Sequence, residues 1–136
     1  RIRPLLVYTS GEVLQIDREQ LTPVAASIEL LHCFSLVHDD LPSMDDDSLR
    51  RGQPSVHIAF NEATAILAAD ALQSLAFHIL SVAPVYQNQD NLAAKLIALL
   101  QHTKSRVPAI TNVIHSTIRE QAFAFDKYRI SNYLCI

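Results

Sequence analysis

The chain has 136 residues, which is enough for one domain with a buried core, and 49% of them are hydrophobic. Only two glycines are present, so the sequence has little material for the tight turns of a strand-rich protein and favours helices joined by short polar loops. The formal net charge of −3, with Arg50 and Arg51 as the prominent basic pair, argues against nucleic-acid binding and favours a small ligand as the partner.

Cysteine content and hydropathy indicate the cellular compartment of the protein. Cys33 and Cys135 are too few and too far apart for a disulfide framework or a cysteine metal site, which predicts a cytoplasmic protein. The longest mostly apolar run, 24–37, is shorter than the roughly 20 residues of a membrane helix and contains Glu29 and His32, so no span is predicted. The chain begins without a methionine, and we expect a fragment in which any upstream targeting segment is not seen.

The first predicted helix runs from about Pro23 to Asp40. Thr22 can cap free amides with its hydroxyl, and Pro23 suits the first helical position because it has no N–H to leave unsatisfied. Pro42 ends the helix, since it cannot donate a helical hydrogen bond and disfavours helical geometry in the residue before it. Residues 42–54 are then predicted to be a polar loop.

The second predicted helix runs from residue 54 or 55 to residue 82, through an Ala- and Leu-rich stretch of high helix propensity. A loop is predicted over 84–91 and a third helix over 92–104. Both long helices are apolar on most faces, which suits buried positions in an α-helical bundle larger than this chain. From Ser105 onward, β-branched and aromatic residues follow no sustained period, so no element is predicted there.

An acidic segment follows the first helix. Asp39 and Asp40 fall at the helix C-terminus, where the dipole disfavours a carboxylate by about 0.3–1 kcal/mol, so a positive partner is expected there. Asp45, Asp46 and Asp47 come a few residues later, beyond a proline turn that would return them to the first pair. The simpler interpretation of this composition, an exposed acidic loop balanced by two arginines, stays open.

Polar residues upstream extend the same face of the helix. The spacing of His32, Ser35 and Asp39 places them within a narrow band, although a lone histidine on a helix is more often a satisfied core residue. Carboxylates are hard oxygen ligands that suit magnesium, which binds one or two of them together with substrate phosphates. Arg50 and Arg51 would complete a diphosphate site, because planar guanidinium groups hold phosphate oxygens bidentately.

The stretch "ELLHCFSLVHDDLPSMDDDSLRRGQPSVH" closely resembles the first aspartate-rich region of the trans-isoprenyl diphosphate synthases. Two adjacent aspartates, four other residues, a third aspartate and then Arg-Arg-Gly make a long and specific pattern. The stretches "RIRPLL" and "EATAILAADALQSLAF" resemble the same family at the expected places. The resemblance covers residues 1–80 well and residues 92–100 weakly.

The resemblance implies an all-α fold, the isoprenoid synthase helical bundle around a deep cavity, usually as a homodimer. It implies a Mg²⁺-dependent transferase that condenses an allylic diphosphate with isopentenyl diphosphate and releases pyrophosphate. Asp39 and Asp45 would bind the metal, with Asp40 supporting this catalytic cluster. Arg50 would hold the allylic diphosphate. Isopentenyl diphosphate would be held by Arg3, His32 and Arg51.

The resemblance also bears on product length, through the residues four and five positions before Asp39, which are Ser35 and Phe34. In the resembling family these positions form the floor of the cavity into which the isoprenoid grows. A phenyl ring there, together with the four residues between Asp40 and Asp45, resembles the bacterial members that make the fifteen-carbon farnesyl diphosphate, with geranylgeranyl diphosphate as the alternative product. Ordinary core packing of Phe34 stays open.

Downstream, the sequence departs from the family pattern. Ala69 stands where relatives commonly carry Gly, and no second aspartate-rich motif is found in the sequence. Residues 1–104 are interpreted as the N-terminal part of a polyprenyl synthetase domain. Residues 105–136 are expected to be a truncated, divergent or out-of-frame tail, and the chain alone is expected to be inactive.

Three other functions stay open. A class I terpene cyclase shares the helical fold, magnesium and an aspartate-rich motif, but it rarely shows the Arg-Arg-Gly continuation. A metal-dependent phosphohydrolase could use His38 and Asp39, but the other histidines show no further metal-ligand pattern. A non-catalytic homologue that binds a diphosphate or a partner subunit is favoured by the missing second motif.

Overall fold

A computed structural model describes residues 1–89 and 91–103, and this part of the chain confirms the all-α prediction. The helices are α1 Ile2–Val13, α2 Arg18–Asp39, α3 Val56–Ala59, α4 Glu62–Val82 and α5 Leu92–Thr103, with a 3₁₀ turn at Pro84–Tyr86. Strands β1 Leu49–Arg50 and β2 Gln53–Pro54 form one antiparallel hairpin. The domain boundary predicted after residue 104 and the predicted tail lie outside the described residues.

The α2 helix begins earlier than predicted. It starts at Arg18, so the predicted start at Thr22 and Pro23 is wrong. The residues before Pro23 include Arg, Glu, Gln and Leu, which are strong helix formers, and the Thr22 hydroxyl donates to the carbonyl of Arg18 at 2.9 Å instead of capping the helix. The predicted end is confirmed, because Asp39 is the last helical residue and Asp40 is the C-cap.

The second predicted helix is broken into α3 and α4. Between Ala59 and Glu62, Asn61 adopts an extended backbone, and its side chain accepts a hydrogen bond from the amide of Thr64 at 2.8 Å. Asn is a strong N-cap residue, and this cap outweighs the helix propensity of the residues around it. The predicted polar loop over 42–54 contains the hairpin, and the third predicted helix is α5.

The α2 and α4 helices pack closely at the centre of the fold. Three alanines on one face of α4 are fully buried, namely Ala65, Ala69 and Ala76. Small side chains let the two backbones approach, and the buried hydroxyl of Ser27 on α2 donates to the carbonyl of Ala76 at 2.8 Å. On the other side of α2, a Cβ added at Gly11 of α1 would lie 2.1 Å from Cδ1 of Leu21. Close packing on two sides therefore fixes α2, and with it the acidic end of this helix.

Apolar side chains cover parts of the outer faces of α1 and α4. The large ones that the described residues leave exposed are Ile2, Leu5, Leu6, Val13, Ile66, Leu67, Leu75 and Val82. By length and composition alone, α2 and α4 also meet the requirements of a membrane span, and core helices meet the same requirements. The larger bundle and the absence of a span both stay predictions.

Candidate functional site

The end of α2 and the loop after it bring the backbones of Asp39 and Asp45 together. The amide of Asp45 donates to the carbonyl of Asp39 at 2.8 Å, and the amides of Met44 and Asp46 donate to the carbonyl of Leu41 at 2.9 and 3.1 Å. Asp46 has a φ of 54°, a left-handed conformation that Asp tolerates better than most residues. The turn that was predicted to return Asp45 to the first aspartate pair is confirmed.

Asp40 is buried, with 3% of its surface exposed, and Arg50 is its partner. The Nε of Arg50 donates to Oδ1 and Oδ2 of Asp40 at 3.0 and 3.2 Å, and Nη2 also contacts Oδ1. Nη2 lies 3.5 Å from Oδ2 of Asp47 as well. The hydrogen bonds to Asp40 raise the pKa of Arg50, so this arginine is held as a cation at the end of α2. The positive partner expected at this helix terminus is therefore Arg50.

A two-residue turn presents the second arginine. Arg50 pairs with Gln53 across the hairpin, and the intervening Arg51 and Gly52 have φ values of 53° and 77°. Positive φ at both central positions is typical of a type I′ turn, which favours Asn or Gly and strains the backbone of other residues with a Cβ, such as Arg. Arg51 is exposed at the tip of this turn. The turn would be more stable with Asn or Gly at this position. The presence of a strained arginine at an exposed tip therefore favours a role in binding over a role in stabilising the turn.

His32 on α2 is affected by the charges of cations from two other elements. Burial lowers the pKa of His32 below its ordinary value of 6.5, and the positive charges of Arg3, Arg51 and Arg50 lower it further, against the opposing charge of Glu29. Arg3 comes from α1 and the other two from the hairpin. Three of the residues predicted to bind diphosphates therefore act electrostatically on the fourth, His32.

The carboxylates fit a magnesium ion that is shared with phosphates. No group of three or more potential metal ligands is found within the part of the chain that the structure describes. Asp39 is half-buried and Asp45 is exposed, and neither side chain has an ion pair or hydrogen bond with another described residue. Magnesium commonly uses one or two carboxylates, substrate phosphates and water, so two free carboxylates suit it without a complete protein cage.

The two residues predicted to set product length lie about one turn before Asp39. Phe34 is buried, and its ring centroid lies 4.6 Å from that of His38 at an angle of 60°. Ser35 is half-buried, and its hydroxyl donates to the carbonyl of His32 at 2.9 Å. The positions are as predicted, and the role in product length stays a prediction.

Sequence reasoning missed a carboxylate that α4 brings to this end of α2. Nε2 of His38 lies 3.8 Å from Oδ1 of Asp70, so α4 also contributes an acidic side chain near the aspartate pair. The sequence feature that could have indicated it is the single Asp within the long apolar stretch of α4, because a charged residue in such a stretch usually has a polar neighbour.

Replacing Arg51 with Asn is expected to weaken diphosphate binding without making the fold less stable. Asn accepts the left-handed backbone more readily than Arg, so the thermal midpoint should stay unchanged or rise. Loss of one guanidinium should weaken binding of a non-hydrolysable bisphosphonate in the presence of Mg²⁺ by roughly 10-fold, the usual scale of a charge-assisted contact. Calorimetry and a thermal melt measure the two effects, and a variant with unchanged affinity would leave Arg51 as a solvated turn residue.

The lowered pKa of His32 gives a pH dependence of stability. The folded chain resists protonation of this ring, whereas the unfolded chain takes up a proton near pH 6.5, so His32 should make the fold less stable as the pH falls through 6.5. Denaturant unfolding between about pH 7.5 and 5.5 should show a smaller loss in His32→Gln than in the wild type. The exposed His78 provides a matched control, and His78→Gln should follow the wild type. Identical curves for all three proteins would contradict the prediction.

Comparison with known proteins identifies the family. A family model described as polyprenyl synthetase matches residues 1–125, and the chain belongs to this family. The farnesyl diphosphate synthase of Haemophilus influenzae is 56% identical over 93 residues, which are 68% of this chain and 32% of the relative. The farnesyl diphosphate synthase of Escherichia coli is 50% identical over 100 residues, which are 74% of this chain and 33% of the relative.

Solved structures agree with this placement. A geranyltransferase from Legionella pneumophila matches with a TM-score of 0.70 and 46% identity, over 73% of this chain and 34% of that structure. An isoprenoid synthase family member from Thermotoga neapolitana matches with a TM-score of 0.59 and 36% identity, over 86% and 50%. The resemblance to isoprenoid synthases and the all-α bundle are thereby confirmed. The chain spans about a third of the length of the curated relatives it matches.

Proposed function

We propose that this chain is the diphosphate-binding part of a short-chain prenyltransferase that makes farnesyl diphosphate from isopentenyl diphosphate and an allylic diphosphate. The observation that carries the proposal is that the chain folds Asp45 back onto Asp39 at the end of α2, while the charges of arginines from α1 and the hairpin act on His32 of the same helix. Opposite charges in one site suit a ligand that is itself anionic and metal-bound. Relatives at about half identity bear the name farnesyl diphosphate synthase.

In the proposed reaction, the allylic carbon–oxygen bond breaks and its electron pair leaves with pyrophosphate. Asp39 and Asp45 are the residues that would hold Mg²⁺ against the allylic diphosphate, and the metal, when bound, supplies positive charge to the departing group. The double bond of isopentenyl diphosphate is the nucleophile, so no activated serine, cysteine or histidine is required. The work of this part of the chain is to bind and orient two diphosphates and to stabilise developing negative charge.

The arginines have separate roles in this proposal. Arg50 is aligned by its hydrogen bonds to Asp40 through Nε and Nη2, which hold its guanidinium plane in one orientation, and the charge of Asp39 also acts on it. It would contact the allylic diphosphate. Arg3, His32 and Arg51 would contact the diphosphate of isopentenyl diphosphate, and the absence of acidic partners for Arg51 within the described residues suits that role. A homodimer is part of the proposal, because the exposed apolar faces of α1 and α4 offer area for further packing.

Geranylgeranyl diphosphate is the second candidate product. The geranylgeranyl diphosphate synthase of Cyanophora paradoxa is 44% identical over 103 residues, which are 76% of this chain and 34% of that relative. The buried ring of Phe34 favours the shorter product, because a phenyl group before the aspartate pair leaves less room for a growing chain.

A chimaera tests the proposed function. This chain would replace the matching third of the Escherichia coli relative, and the product from isopentenyl and dimethylallyl diphosphates would be identified by chromatography. We expect Mg²⁺-dependent formation of the fifteen-carbon product. A folded chimaera with no condensation activity, beside an active parent enzyme, would support the non-catalytic alternative. Product formation by the 136-residue chain alone would overturn both that alternative and the expectation that the chain alone is inactive.

A further inference from the structure

Ser55 and His57 form a buried polar pair where the hairpin joins α3. Ser55 is 2% exposed and His57 is 8% exposed, and Oγ of Ser55 lies 3.1 Å from Nδ1 of His57. The other ring nitrogen, Nε2, is buried and has no hydrogen-bond partner among the described residues. Neither residue belongs to the diphosphate site described above.

The backbone of Ser55 connects the hairpin to the helices. Its amide donates to the carbonyl of Ser48 at 3.0 Å, which extends the pairing of the hairpin by one step. Its carbonyl accepts from the amides of Ile58 and Ala59 at 3.1 and 2.9 Å, which begins α3. Ser55 occupies the N-cap position of α3, but its hydroxyl makes no capping bond and is engaged by the His57 ring instead.

The hairpin depends on such anchors because each of its strands has only two residues. An isolated two-stranded hairpin is marginally stable in water, so contacts at its base and sides decide how it is oriented. One anchor is the pair of Arg50 with Asp40 on α2. The second is Ser55, held by His57 at the base of the same hairpin.

We propose that His57 is a positioning residue that orients Arg50 and Arg51 for diphosphate binding by fixing Ser55. This inference rests on the proposed function, because Arg50 and Arg51 bind a diphosphate only if that function holds. The hydrogen bond between Ser55 and His57 determines the direction in which the hairpin leaves α3, and the turn at its tip carries Arg51 towards His32.

A purely stabilising role is the competing explanation, and Nε2, which has no partner among the described residues, argues against it. A buried nitrogen without a partner makes the fold less stable than an apolar side chain of similar size would. His57→Leu removes this unpaired nitrogen but leaves the buried hydroxyl of Ser55 without its partner. The double change Ser55→Ala with His57→Leu removes both polar groups, so it should restore or increase stability without restoring the hydrogen bond.

Four variants of the 136-residue chain test the inference: His57→Leu, His57→Asn, Ser55→Ala and the double variant. Asn can place an amide atom near the position of Nδ1 and lacks the unpaired Nε2. Calorimetry with a non-hydrolysable bisphosphonate and Mg²⁺ measures binding, a thermal melt measures stability, and amide hydrogen exchange at Ser55 reports the base of the hairpin.

We expect His57→Leu and Ser55→Ala each to weaken binding by about fivefold, the equivalent of one neutral hydrogen bond, and to speed exchange at Ser55. The double variant should bind no better than either single variant although its melting temperature recovers. His57→Asn should bind like the wild type. Recovery of affinity together with stability in the double variant would overturn the inference, as would unchanged affinity in both single variants. If the wild-type chain shows no Mg²⁺-dependent binding, the proposed function fails, and unchanged exchange at Ser55 would reject the hairpin anchor independently.

Discussion

Replacing Asp39 with Asn should lower Mg²⁺-dependent bisphosphonate binding by roughly 100-fold, the largest effect on affinity that we expect from one substitution. The amide keeps the shape of the side chain but removes the negative charge that the metal requires. Asp39 ends α2, where the helix dipole disfavours a carboxylate. Loss of its negative charge should therefore make the folded chain slightly more stable. Calorimetry with and without Mg²⁺ measures the affinity, and a melt measures the stability.

Asp46 supplies a matched control for this experiment. It lies in the same acidic loop, is exposed, and has a left-handed backbone that Asn also tolerates, so Asp46→Asn removes the same charge without altering the turn. We expect its affinity to fall by less than about threefold, the scale of a screened surface charge. Equal losses in both variants would show that the loop acts through total charge alone, and binding that does not need Mg²⁺ would reject the metal assignment.

Replacing Phe34 with Ala should shift the product of the chimaeric enzyme from fifteen to twenty or more carbons. Removal of the ring would open the space one turn before Asp39, towards which the growing isoprenoid is expected to extend. The same change truncates a buried aromatic residue and should cost about 3–5 kcal/mol of stability. Product chromatography and a thermal melt must therefore be read together.

Phe77 separates the two effects of that substitution. It lies on α4, packs partly buried against the hydrophobic core and has the same side chain, so Phe77→Ala should also destabilise the fold. Its product profile should stay at fifteen carbons. If Phe34→Ala leaves the product unchanged while both variants lose stability, Phe34 is an ordinary core residue.

Much of the site was predictable from the sequence because its determinants are local. The aspartate pair at a helix end, the turn after Pro42 and the two adjacent arginines lie within fourteen positions, residues 38–51, and short-range geometry brings them together. The hydrogen bond from Asp45 to Asp39 confirms this folding back. The long and specific motif also identified the family, which the match over residues 1–125 confirms.

Local signals also account for the errors in element boundaries. The Thr22–Pro23 pair is a plausible helix start, but strong helix formers upstream extend α2 to Arg18. Asn61 is an N-cap within a sequence of high helix propensity, and its cap divides one predicted helix into two. In both places a helix-start signal competes with the helix propensity of the neighbouring residues. Composition alone does not show which of the two is stronger.

The sequence by itself determined the all-α class, the family and the acidic motif, because periodicity, helix propensity and a contiguous motif are properties of neighbouring residues. Tertiary structure alone decided which cations face the acidic end of α2. The charge of Arg3 acts on His32 because α1 packs on α2 at Gly11, and Arg50 contacts Asp40 because a type I′ turn closes the hairpin. Such contacts depend on the packing of helices and the direction of turns, so the spacing of residues along the chain does not specify them.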